Sequence, residues 1–182
     1  MPGGGPMTGP AAAVVRTPRM GRPGVPATFA AALLAAGSAA AQPCAQPAFG
    51  DALAALGAEG WTPATALTDA QTDALAWTRA ITYVTGDDGG LTPDQVLDLQ
   101  RAAAPGLLRR VDTDTTRSAV LIRGDEAMTI TQTITAPGRA ERRCRLATAA
   151  PVAGTDPVDT TGWPGAPVLA DLTFTLPSET SE

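Results

Sequence analysis

The chain has 182 residues, room for one hydrophobic core, with 44% apolar residues, many of them alanine, and only 4% aromatics. It contains no lysine and no histidine; the missing imidazole excludes Ser-His and Cys-His nucleophile pairs, histidine acid–base catalysis and nearly every common zinc site. The net charge is −5, and because Arg16, Arg19 and Arg22 lie in a segment without acids, the chain from residue 42 carries 10 Arg against 18 Asp and Glu, which excludes a general binder of nucleic acid or anionic membrane.

Residues 1–26 are rich in Gly, Pro and Arg without periodicity, and an apolar run from Ala27 to Ala36 leads into Ala39-Ala40-Ala41. A basic region, a short apolar core and an Ala-x-Ala end form the pattern of a secretory signal peptide, with cleavage expected after Ala41 and Gln42 as the mature N-terminus. The run is too short to span a bilayer, and no membrane insertion is expected after cleavage. Counted from Met1 the leader is longer than usual, so Met20 is the expected start, with Met7 as the alternative. The domain itself is expected over 42–176, and 177–182 as a disordered tail. The expected location is periplasmic or secreted.

Pro47, Phe49, Leu53 and Leu56, closed by Gly57 and Gly60, predict a short helix over about 47–57, with a linker from Trp61. Thr68-Asp69-Ala70-Gln71 and Thr92-Pro93-Asp94-Gln95 both carry a hydroxyl cap with Gln three residues on, the capping-box pattern. Ala74, Trp77, Ile81 and Val84 then form one apolar helical stripe ending near Gly86; Val96, Leu99 and Ala103 form another, ended by Pro105-Gly106.

A polar connection over 107–117 precedes period-two patterning. Val120 and Ile122 share a strand face up to a Gly124-Asp125 turn, and Met128, Ile130 and Ile134 alternate with Thr129, Thr131, Thr133 and Thr135. Pro137-Gly138 reads as the centre of a type II turn. The next strand places Ala140, Cys144 and Leu146 on its apolar side with Arg142 as the odd member, and Glu141, Arg143 and Arg145 on the other. After a Pro/Gly/Asp-rich loop over 149–167, Val168, Ala170, Leu172, Phe174 and Leu176 give a fourth strand. The expected fold is α+β: about three short N-terminal helices packed on a four-stranded, mainly antiparallel β-meander, all of them covering the Met128/Ile130/Ile134 face.

Cys44 and Cys144 are the only cysteines, and two cysteines in an exported chain predict a disulfide. Asp87-Asp88-Gly89-Gly90 and Asp112-Thr113-Asp114 lack the alternating acids, central Gly and terminal Glu of a calcium loop and read as solvated turns. No nucleophile elbow, phosphate loop or dinucleotide fingerprint is present, so no catalytic residue, cofactor or metal site is assigned. The candidate partner-binding residues are Arg139, Arg143 and Arg145, part of a dense Arg cluster in an otherwise acidic chain, and Trp163 on a Gly/Pro loop. The plainer reading of the cluster is a solvated sheet face paired to Glu126, Glu141 or cross-strand Thr, and that of Trp163 is a ring packed over a core edge. The expected function is a small exported, monomeric, non-catalytic binding or inhibitory module for an unknown ligand or protein partner, whose acidic surface suits a basic one. A carboxylate-dependent exported hydrolase and a structural accessory of the cell envelope are the alternatives.

Overall fold

The computed structural model describes residues 41–86 and 90–177. Residues 1–40, all of the expected leader but its last residue and including its expected start at Met20, lie outside the described residues, as do Asp87-Asp88-Gly89 and residues 178–182; Pro177, assigned to the tail from sequence, closes the last strand. Four helices, α1 (Ala41–Cys44), α2 (Phe49–Ala58), α3 (Asp69–Val84) and α4 (Pro93–Leu107), and six strands, β1 (Thr62–Pro63), β2 (Val111–Asp112), β3 (Thr116–Arg123), β4 (Glu126–Ala136), β5 (Arg139–Thr148) and β6 (Val168–Pro177), make up the described chain. None of these helices is long and apolar enough to cross a membrane.

The four long strands follow one another in chain order across an antiparallel sheet, β3-β4-β5-β6, as a meander. The sheet has six strands rather than four, because two-residue segments read from sequence as linkers pair with the outer edge of β3. Thr62 and Pro63 lie opposite Ile122 and Leu121, and Val111 and Asp112 opposite Ser118 and Arg117. Segments this short carry no period-two signal. Short partners of this kind also cover an edge that would otherwise present free backbone groups.

The Pro137-Gly138 turn has the positive φ of 74° at Gly138 that a type II turn demands at its second central position. A type II turn does not match the twist of paired strands, and the register steps by one residue beyond it: Ala136 faces Arg139 but Ile134 faces Ala140, leaving Thr135 as a bulge. The slip decides which side chains share a face. It sets Ile130 opposite Cys144 and Met128 opposite Leu146; an unbulged ladder would have set Ile130 against Arg145 and mixed the two faces.

Helices cover both faces of the sheet, not one as expected. On the first face Leu121, Met128, Ile130, Cys144, Leu146 and Ala170 pack against Cys44 of α1, Phe49, Ala52 and Leu56 of α2, and Trp61. Ile134 belongs to this face by register but lies beyond the helices and is 39% exposed. On the second face Val120, Ala127, Ala147 and Leu169 pack against Ala74, Trp77, Ala80 and Ile81 of α3 and Val96, Leu97 and Ala104 of α4. This face is apolar only at the end where Val120, Ala127, Ala147 and Leu169 meet, and the small Ala127 and Ala147 let α3 approach closely.

Both predicted capping boxes form. Thr68 and Thr92 each accept from the backbone N–H of the Gln three residues on, whose side chain accepts in return from the Thr backbone N–H. At 16 and 15 residues, α3 and α4 are not short. In α4 the apolar stripe is Val96, Leu97 and Ala104, rotated from the expected Val96-Leu99-Ala103, and Leu99 is exposed. The buried stripe packs on α3 and the sheet, and beside it the Arg101 guanidinium bonds Asp73 of α3 at 2.7 Å. The helix runs through Pro105 to Leu107; a proline in the last turn removes only one hydrogen bond from the ladder.

Helix α2 begins at Phe49, two residues later than expected, and Gly50 follows at once. A Cβ at Gly50 meets no atom within 4 Å. Gly50→Ala is therefore expected to stabilise the domain by about 0.4–1 kcal/mol through the smaller entropy of the unfolded chain, read as a higher denaturant midpoint at unchanged slope.

Candidate functional site

The Cys44–Cys144 disulfide forms as expected, bridging a sequence separation of 100 with Cα atoms 6.5 Å apart and both cysteines fully buried. Two residues before Cys144 on the same strand face, Arg142 is buried with no exposed surface. It donates from Nε to Gln132 Oε1 at 3.0 Å and from its terminal nitrogens to the backbone oxygens of Cys44 (3.1 Å), Gln46 and Pro47 (3.1 Å), with Phe49 beneath it, 5.8 Å from the guanidinium carbon to the ring centre. The charged residue that looked misplaced in an apolar row is thus the donor for a turn whose carbonyls have left the α1 helix. The disulfide and Arg142 together tie segment 44–47 to the sheet.

The site lies on the second face, where the sheet runs past the cover of α3. The bulged register sets Thr129 opposite Arg145, Thr131 opposite Arg143 and Thr133 opposite Glu141; β6 sets Asp171 opposite Arg145. Arg79 of α3 reaches the same place, and these side chains, Asp171 apart, line a cavity of about 260 Å³. Water occupies roughly 30 Å³ per molecule in the liquid, so the space suits a small molecule.

Asp171 organises the cations. Arg143 grips it as a fork, Nε to Oδ1 at 2.8 Å and a terminal nitrogen to Oδ2, the strong geometry for Arg and carboxylate. This hydrogen bonding, opposed by burial and helped by the charges of Asp171 and Glu141, raises the Arg143 pKa further. Arg145 lies deeper, its side chain 13% exposed, with Nε 3.4 Å from Asp171 Oδ2. That separation is a long ion-pair contact, and no short, well-aligned acceptor meets the buried Nε. Burial lowers the Arg145 pKa most; Asp171 opposes this, and the charges of Arg143 and Arg79 add to it. One carboxylate therefore serves two guanidiniums. Among the described residues Arg79 forms no ion pair, and the hydroxyls of Thr129, Thr131 and Thr133 make no hydrogen bond.

The structure brings Arg143 and Arg145 together and places the other two candidates elsewhere. Arg139 is exposed at the turn end of β5, opposite Pro177. Trp163 packs edge-on against Trp77, ring centres 6.0 Å apart and planes at 65°, at the margin of the α3–α4 core. The partner of the Arg cluster is neither of the acids named from sequence. Glu126 pairs with Arg123, and Asp171 does the work instead. Its position was readable, since the alternation of β6 puts Asp171 on the side opposite Ala170 and Leu172. Nothing in the sequence marks Arg79. At the β3 edge of the sheet, Asp112 pairs with Arg110 and Arg117, and Thr113 closes a turn on Thr116, so the Asp112-Thr113-Asp114 run is built as a turn.

No protein-family model, curated protein or solved structure matches the chain.

Proposed function

We propose that the chain is an exported, non-catalytic binding module and that its ligand is taken on the polar end of the second sheet face. The observation that carries this reading is the cavity walled by Arg79, Arg143, Arg145 and three Thr hydroxyls, set on strands that are rigidly paired on both sides. Convergent donors on a fixed scaffold are what recognition requires. Export is supported by the leader pattern and by a buried disulfide, which oxidising compartments favour. Hydrolysis by paired carboxylates gains no support at this site: both oxygens of Asp171 face Arg143 and Arg145, and Glu141 is exposed at the rim.

The full chain expressed with its leader is expected to be recovered outside the cytoplasm with Gln42 as its first residue, by N-terminal sequencing. Affinity capture from the same fraction is expected to retain a ligand or partner with the wild type and to lose it with Arg145→Met. A cytoplasmic product with an intact N-terminus, or capture indifferent to Arg145, overturns the reading.

A further inference from the structure

We infer that this cavity is a binding site for a small oxyanion, a carboxylate, sulfate or phosphate group carried on a compact molecule. The inference rests on the reading of this face as the binding face and adds the ligand chemistry.

Charge is the first reason. Three guanidiniums converge where the described carboxylates at hand are Asp171 and the exposed Glu141. The pocket is thus locally positive on a chain that from residue 42 has 10 Arg against 18 acids. That surround selects by size. A small anion is short enough to see only the pocket, because charges beyond about 10 Å are screened at ordinary salt. A polyanion or an acidic protein would lie across the negative surface and be repelled.

Unused hydrogen bonding is the second reason. A buried guanidinium nitrogen without an acceptor costs stability, and such atoms in native proteins call for an explanation. Arg145 Nε is poorly served in this way, its one contact a long 3.4 Å approach to a carboxylate already committed to Arg143. Three hydroxyls along β4, at i, i+2 and i+4, point to the same side as the cations; each can donate to an anion, as an uncommitted hydroxyl does. A row of donors beside a row of cations matches an oxyanion, whose oxygens only accept. It does not match a cation or an apolar ligand. Asp171 then acts as an internal stand-in for the ligand, neutralising Arg143 and tuning how strongly the site attracts an anion.

The test is calorimetric titration of the disulfide-intact protein with sodium sulfate, sodium phosphate and sodium succinate, each at constant ionic strength set with sodium chloride. Saturable binding of at least one of them is expected, and comparison among the three separates tetrahedral from carboxylate recognition. Removing a charged hydrogen-bonding partner is worth about tenfold or more in affinity, so Arg145→Met is expected to weaken binding at least about tenfold. Arg79→Gln, on an exposed helix position where folding is not at stake, is expected to weaken it with an unchanged melting temperature. Asp171→Asn is expected to tighten it by releasing Arg143, a gain that a merely structural ion pair does not produce. Arg139→Met serves as the control and should bind as the wild type does.

Absence of saturable binding for all three anions, or binding indifferent to Arg79→Gln and Asp171→Asn, overturns the inference. If the anions fail while a captured partner still depends on Arg145, the ligand class is wrong and the binding face stands. If both fail, both readings fall.

Discussion

Arg142→Met is expected to cost about 3–5 kcal/mol of folding stability, the usual loss when one side of a buried charged network is removed, with the denaturant midpoint falling and the slope unchanged. The reason is what the substitution leaves behind. Gln132 Oε1 and the carbonyls of Cys44, Gln46 and Pro47 all accept from this one guanidinium. A thioether fills part of the volume but donates nothing, and each buried acceptor left unpaired costs about 1–3 kcal/mol. Arg142→Lys keeps the charge and loses the planar fork, so it is expected to recover only part of the loss. Gln132→Leu combined with Arg142→Met is expected to be less destabilising than the sum of the singles, because it removes one orphaned acceptor, while the three carbonyls stay unpaired. A loss below about 1 kcal/mol for Arg142→Met would show that water satisfies those carbonyls and that the guanidinium does not hold the turn.

Arg142 also shows how far the sequence carries. Its alternation placed it on the apolar side of β5, and the structure puts it there. What the pattern could not supply was the acceptors, which come from residues 44–47, almost a hundred positions away. The same limit governs the site. Arg143 and Arg145 were visible because they share a strand face, a local property with period two. Asp171 was one step less visible, requiring β5 and β6 to be neighbours, and Arg79 depended on which face α3 covers. That last question turned on Ala127 and Ala147, whose small side chains look neutral in any local count but make room for a helix on a face otherwise marked polar by its threonines. The capping boxes, the two turns and the four long strands were legible because each is decided within a few residues. The edge strands β1 and β2 were not, because two residues carry no period and their pairing is decided wholly by β3. The bulge at Thr135 was implicit: the apolar residues of β4 and β5 fall on one face only if the register slips by one after the Pro-Gly turn.

Removal of the disulfide by Cys44→Ala with Cys144→Ala is expected to lower stability by up to about 4.7 kcal/mol, the chain-entropy value for a loop of about a hundred residues. Alanine is the right replacement, since both positions are fully buried and serine would add two hydroxyls needing partners. A domain of this kind has about 5–15 kcal/mol in all, so the double variant is expected to melt tens of degrees lower or to be unfolded at growth temperature; non-reducing peptide mass spectrometry of the wild type should show the Cys44–Cys144 peptide. The loss should not be independent of Arg142. Both devices hold the same segment, one at the sulfur of Cys44 and one at the carbonyls of Cys44, Gln46 and Pro47. Once the staple is gone the segment can leave the sheet, water reaches its carbonyls, and the guanidinium loses less by being absent. Arg142→Met in the disulfide-free background is therefore expected to cost less than in the wild type, with a coupling in the range of about 0.5–3 kcal/mol that contacting residues show. Strict additivity would mean that segment 44–47 stays docked without its disulfide, held by Phe49 and Leu56 in the α2 core, and that the two anchors act separately.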